Sequence, residues 1–99
     1  IEAILAVEGI DVGFIGPNDM TQDYGILGQF EHPDIVAAFE RVIAAARANG
    51  KWSGVHFGSA APLAPWLSRG MQINMCGSDN GLLALGAAAM RRQLEGGVA

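Results

Sequence analysis

Three times along this chain a short apolar run stops at a glycine-containing turn and gives way to a helical pattern, and this alternation restricts the fold more than any other feature. Val12-Gly13-Phe14-Ile15 stops at Gly16-Pro17, Ser53 to Phe57 stops at Gly58-Ser59, and Met71 to Cys76 stops at Gly77-Ser78. Runs this short, apolar and closely bounded predict strands buried on both faces of a parallel sheet. Between them, Pro33 opens a long amphipathic helix with Val36, Phe39, Val42, Ile43 and Ala46 on one stripe and Asn49-Gly50 at its end. A shorter helix carries Leu63, Trp66 and Leu67 on one face and closes at Gly70. A last helix, which Ser78 or Asp79 can cap and for which Asp79 is the expected cap, runs through Leu83, Ala87, Met90 and Leu94 to Gly96-Gly97. Ile1, Ile4 and Leu5 read as the last turns of a helix that ends before Glu8-Gly9.

Short strands alternating with helices demand right-handed crossovers between parallel neighbours. An open doubly wound sheet usually has more than three strands, and no G-x-G-x-x-G follows any strand here. A (β/α)₈ barrel spends roughly 30 residues on each unit, so residues 1–99 predict the C-terminal three strand–helix units of one TIM (β/α)₈ barrel domain. The turns at Gly16, Gly58 and Gly77 then share the C-terminal face, where barrel enzymes keep their chemistry. A start inside a helix, without methionine, agrees with a piece of a longer protein.

Composition excludes several partners. A formal charge of −4 provides no basic surface for a nucleic-acid backbone. No apolar run approaches the roughly 18–20 residues that cross a bilayer. Cys76 is the sole cysteine, so no internal disulfide can form, and the cytoplasm is the expected compartment.

Gly16-Pro17-Asn18-Asp19 combines a tight turn, a carboxylate and free backbone N–H groups at a strand's C-terminal end. If Asn18 and Asp19 open a short helix, their amides point at a bound anion such as a substrate carboxylate. The competing role is simple helix capping by either side chain. Gly58-Ser59 and Gly77-Ser78 suggest a rival phosphate cradle, although neither turn contains lysine or arginine. His56 ends a strand and faces the mouth or packs against its neighbours. His32 reads as a loop or cap residue, and Trp52 and Trp66 as core or interface.

Taken in order, V-E-G-I-D-V-G-F-I-G-P-N-D-M, E-H-P-D-I, A-N-G-K and C-G-S-D-N-G-L-L resemble the HpcH/HpaI aldolase family across essentially the whole chain. The resemblance implies a barrel of the phosphoenolpyruvate/pyruvate type and a class II aldolase that makes or cleaves 4-hydroxy-2-oxo acids. Pyruvate and an aldehyde would be its small-molecule partners, and a homo-oligomer its assembly. It assigns to Asp19 one ligand position for a divalent cation, Mg²⁺, Mn²⁺ or Co²⁺, beside the bound oxo acid, where the ion stabilises the enolate. Asn18 and Asp19 would bind substrate, with the turn amides receiving its carboxylate. The family's second metal-binding carboxylate, a glutamate, and its histidine and arginine correspond to positions before Ile1. Glu2 and Glu8 flank the wrong end of the strand to replace them. The resemblance also places His56 where relatives often carry an apolar residue lining the pyruvate pocket, a departure that bears on substrate choice. Lys51, the sole lysine, lies at the opposite face, which disfavours Schiff-base chemistry from this segment. The helix from Leu82 to Leu94 is expected to pack on a neighbouring subunit.

Overall fold

In the computed structural model, which describes residues 1–97, the longest run of buried apolar side chains belongs to the helix opened by Pro33. The order of elements is α1 (Glu2–Leu5), β1 (Val12–Ile15), α2 (Pro17–Asp23), α3 (Pro33–Ala48), β2 (Trp52–Phe57), α4 (Ala60–Ser68), β3 (Met75–Cys76) and α5 (Asp79–Gly97). Helix α3 starts where proline's fixed φ suits the first turn and where the His32 ring accepts a hydrogen bond from the Asp34 N–H at 3.3 Å. Its buried stripe is Ile35, Phe39, Val42, Ile43, Ala45 and Ala46. It ends at Asn49-Gly50, where a φ of 64° at Gly50 turns the chain so that the Lys51 N–H reaches the Ala46 carbonyl at 2.9 Å.

The three strands form a parallel sheet in the order β1-β2-β3. Side chains alternate across a strand, so α3 decides which half of each strand is covered. Ile15, Val55 and Phe57 join Phe39, Ile43 and Trp66 in the main core. The Phe39 ring lies 4.6 Å from Trp66 and 6.4 Å from Phe57, while Phe30 meets Phe57 edge-on at 5.2 Å. The other set, Val12, Phe14, Trp52, Gly54, His56 and Met75, faces away from the helices. Among the described residues no helix covers this second face, and Phe14 is 44% and Met75 55% exposed on it. The expectation of strands buried on both faces therefore holds for one face only.

Two further sequence expectations change. Helix α4 turns Leu63 and Trp66 into the core, but Leu67 lies round the helix on the solvent side. The strand expected from Met71 to Cys76 shrinks to Met75–Cys76 because side chains take over its ladder: Asn74 Oδ1 accepts from the Val55 N–H at 3.2 Å and Asn74 Nδ2 donates to the Met71 carbonyl at 2.8 Å. The N–H groups of Gln72 and Ile73 both converge on the Ser53 carbonyl. This irregular segment crosses directly over Gly54, where an added Cβ would stand 1.6 Å from the Ile73 carbonyl oxygen. Only glycine permits that approach.

Helix α5 has no buried residue, and its leucines lie open, Leu83 at 72% and Leu94 at 70%. Its projection explains a radius of gyration of 17.2 Å, against about 13 Å for a compact chain of this size. At the opposite end, the Arg41 guanidinium on α3 clasps the Glu2 carboxylate on α1 with bonds of 2.9 and 2.7 Å.

Gly54→Ala should lower the urea unfolding midpoint by the equivalent of about 1–3 kcal/mol or more, as overpacking against rigid backbone does. An unchanged midpoint would remove the 71–74 segment from its place over β2. The clasp makes a second prediction. Hydrogen bonding from Arg41 holds the Glu2 carboxyl well down, from 4.5 to about 2. Because the folded value is the lower one, the clasp's contribution is complete above pH 4.5 and is lost as pH falls through about 2. Carboxyl NMR titration should find Glu2 ionised at pH 3, and Arg41→Gln should return it to the ordinary range.

Candidate functional site at the C-terminal edge of the sheet

Gly16 is the N-cap of α2, and Pro17, Asn18 and Asp19 form its first turn. The helix thus starts two residues earlier than Asp19, and its first closing bond runs from the Met20 N–H to the Gly16 carbonyl at 3.0 Å. The N–H groups of Asn18 and Asp19 make no hydrogen bond among the described residues, as the geometry of a first turn dictates. Neither side chain caps the helix, since α2 has no side-chain cap bond. Asp19 and Asn18 are both exposed. The Asp19 carboxylate bends back over the turn, with Oδ2 3.2 Å from where a Cβ on Gly16 would stand.

Register locates that carboxylate relative to the next strand. The paired register ends at Ile15 and Val55, so Gly16 and His56 each stand one residue beyond that pair, with the same parity. His56 in turn pairs with Met75 on β3. Gly16, His56 and Met75 therefore form the top row of the uncovered face, with the Asp19 carboxylate above its first member. The half-buried His56 ring lies 3.0 Å, through Nε2, from the Gly77 carbonyl oxygen, tying β2 to the turn after β3. The sequence left His56 at a strand end either facing the mouth or packed and hydrogen-bonded, and nothing in the local pattern named Gly77 as its partner.

Thr21 was not singled out by the sequence, yet it holds the site's turn together. Fully buried, its hydroxyl donates to the Pro17 carbonyl at 2.9 Å and accepts from the Gly28 N–H at 3.0 Å. It clips the loop before α3 to the helix that carries Asp19. A threonine at an inward helical position is its only sequence signal.

The turns after β2 and β3 abut, with Gly58 O 3.8 Å from where a Cβ on Gly77 would stand. One turn amide and two from the start of α5 are occupied. Gly77 N–H bonds the Phe57 carbonyl at 2.8 Å, Gly81 N–H bonds Ser78 Oγ at 3.1 Å and Leu82 N–H bonds the Ser78 carbonyl at 2.8 Å. Ser78, not Asp79, is the residue that caps α5, while Asp79 Oδ1 receives the Asn80 N–H at 2.8 Å. The Gly77 amide is thereby withdrawn from any phosphate cradle, and the Asp79 carboxylate beside it would repel an anion.

Among the described residues no three of His, Cys, Asp and Glu converge where a metal ion could sit. Asp19 provides one carboxylate, and a hard divalent ion takes about six oxygen ligands. The residues present fit such an ion only as part of a larger donor set. Glu2 is committed to Arg41, and the Lys51 ammonium bonds the Val7 carbonyl at the opposite edge of the sheet. A cleft of about 740 Å³ lies between the Gly28–His32 loop and α4, away from Asn18 and Asp19. A smaller one of about 290 Å³ runs along β1 and includes Phe14, Gly16 and Met20.

A parallel α/β sheet with its candidate site at the strands' C-terminal edge is a frame used by many enzymes. Sequence comparison is more specific: residues 1–85 match the HpcH/HpaI aldolase/citrate lyase family. The chain belongs to that family. It is 40% identical over 90 residues to the 4-hydroxy-2-oxo-heptane-1,7-dioate aldolases of Salmonella paratyphi B and Salmonella newport, an alignment covering 91% of this chain and 34% of each relative. The chain thus spans about a third of the length of the curated relatives it matches. Among solved structures it resembles an HpcH/HpaI aldolase/citrate lyase family protein from Burkholderia cenocepacia, with a TM-score of 0.88 at 29% identity over 95% of this chain and 37% of that one. An HpcH/HpaI aldolase from Desulfitobacterium hafniense gives a TM-score of 0.81 at 33% identity with the same coverage. No helix among the described residues is long and apolar enough to cross a membrane.

Proposed function

We propose that this chain forms the last three strand–helix units of a (β/α)₈ barrel enzyme that cleaves or forms 4-hydroxy-2-oxo acids, with pyruvate and an aldehyde as the smaller partners. The observation that carries the reading is the Asp19 carboxylate. It stands without a hydrogen-bond partner among the described residues at the C-terminal edge of a parallel sheet, in a chain 40% identical to named aldolases. In a barrel the uncovered face becomes the interior, which accounts for apolar Val12, Phe14 and Met75 on it. Asp19 would contribute one ligand to a divalent cation whose other donors lie outside these residues. When bound, such an ion acts as a Lewis acid that favours the enolate form of pyruvate. The unpaired N–H groups of Asn18 and Asp19 suit the oxo-acid carboxylate, and the Asn18 side chain stands beside it. Thr21 holds this turn in shape.

Asp19→Asn in the full-length protein should cut kcat/KM for pyruvate release by at least about 100-fold, since it removes charge from the ion's shell. The fold should survive, because Asp19 makes no capping bond whose loss could matter. Activity titrated against Mn²⁺, together with a thermal melt, separates the roles. Near-wild-type activity at low metal would withdraw Asp19 from metal binding.

We also propose that α5 packs on a second copy of the protein. Leu82, Leu83, Met90 and Leu94 lie exposed on a 19-residue helix that buries no side chain. Burying four such side chains contributes several kcal/mol, at about 1.5–3 each. Leu83→Glu with Leu94→Glu in the full-length protein should reduce the assembly's mass in light scattering while retaining the circular dichroism spectrum. An unchanged mass would refute the contact.

A further inference from the structure

His56 has a free hydrogen-bonding atom that the proposed reaction does not yet use. Gly77's carbonyl oxygen can only accept, so the Nε2 atom 3.0 Å away must carry the proton and donate it. In the neutral ring this fixes the tautomer, leaving Nδ1 as an unprotonated acceptor. Nδ1 makes no hydrogen bond among the described residues, and no unpartnered side-chain nitrogen or oxygen is buried there. It is therefore open to a bound molecule. Strand parity puts His56 on the face that no helix covers, and His56 and Gly16 each lie one residue past the Ile15–Val55 pair. The Asp19 carboxylate stands over Gly16. Nε2 reaches Gly77, two residues beyond the His56 partner Met75, so the ring leans toward the mouth of the site.

Resting on the aldolase reading above, we propose that His56 is a specificity-determining residue: its Nδ1 accepts a hydrogen bond from a hydroxyl on the aldehyde-derived half of the substrate. The Asn18-Asp19 turn takes the oxo-acid half, so the half that departs as aldehyde extends along the same row toward β2 and β3. An acceptor there rewards a hydroxyl donor. It offers nothing to an alkyl chain and opposes a second carboxylate, and no lysine or arginine occurs in the three turns that follow the strands. The hydrogen bond from Nε2 to Gly77 O keeps the ring in one orientation, so that little ordering is needed when the substrate binds.

The matched probes are glycolaldehyde and acetaldehyde, which differ by the single hydroxyl, each added to pyruvate by the full-length protein with Mg²⁺. His56→Leu should lower the ratio of kcat/KM for glycolaldehyde to that for acetaldehyde by about tenfold, the size of one hydrogen bond. His56→Gln, whose amide can donate to Gly77 O and still accept, should restore most of that ratio. An unchanged ratio in His56→Leu would overturn the proposal. Ring ¹⁵N spectra supply a readout independent of turnover. Adding 4,5-dihydroxy-2-oxopentanoate should move the His56 Nδ1 resonance, and 4-hydroxy-2-oxopentanoate should move it less. Equal or absent movement overturns the His56 contact. Selective movement without any pyruvate release would instead overturn the aldolase reading and retain the contact.

Discussion

Phe39 lies against Trp66 and Phe57, and that packing decides which side of the sheet is closed. Once Ile15, Val55 and Phe57 turn toward α3, the two-residue period of a strand sends Phe14, Gly54 and His56 the other way. A slip of one residue would bury His56 beneath α3 and turn Phe57 outward. The position of the candidate site follows from this parity. Gly16, one step past β1, belongs to the open face, and its missing side chain leaves room for the Asp19 carboxylate to fold back over it.

The parts of the fold that depend on local periodicity were legible in the sequence. Pro33, the apolar stripe and Asn49-Gly50 marked α3 closely, and the glycine-containing turns marked where strands end. The Asn18-Asp19 turn was legible because the residues that make it are contiguous. Features that depend on a distant partner were not. Asn74 replaces a length of β3 with its own amide, which a pattern of apolar residues cannot announce. The His56 tie to Gly77 joins residues 21 positions apart. Thr21 looked like an ordinary helical residue until the Gly28 loop came back to meet it. The sequence favoured Asp79 as the cap of α5, but both residues are good capping types and geometry gives the role to Ser78.

Burial and chemistry stop at the same boundary in this structure. Phe14, Trp52 and Met75 lie on a face that no described helix covers, and Asp19 stands at the rim of that face as a carboxylate that no cluster of three ligand-type side chains surrounds among the described residues. On the proposed barrel reading these are one fact. Strands that cover the apolar face also end at the same rim, and side chains at their C-terminal ends complete the donor set around Asp19. Covering the face also removes water from the rim, which strengthens every charge interaction made there. Among the described residues this edge contributes a carboxylate without a partner, two unpaired amides and a tethered histidine, held in fixed relation by register, by Thr21 and by Gly77. On the barrel reading, further strands have only to bring ligands to a rim whose geometry this segment already holds.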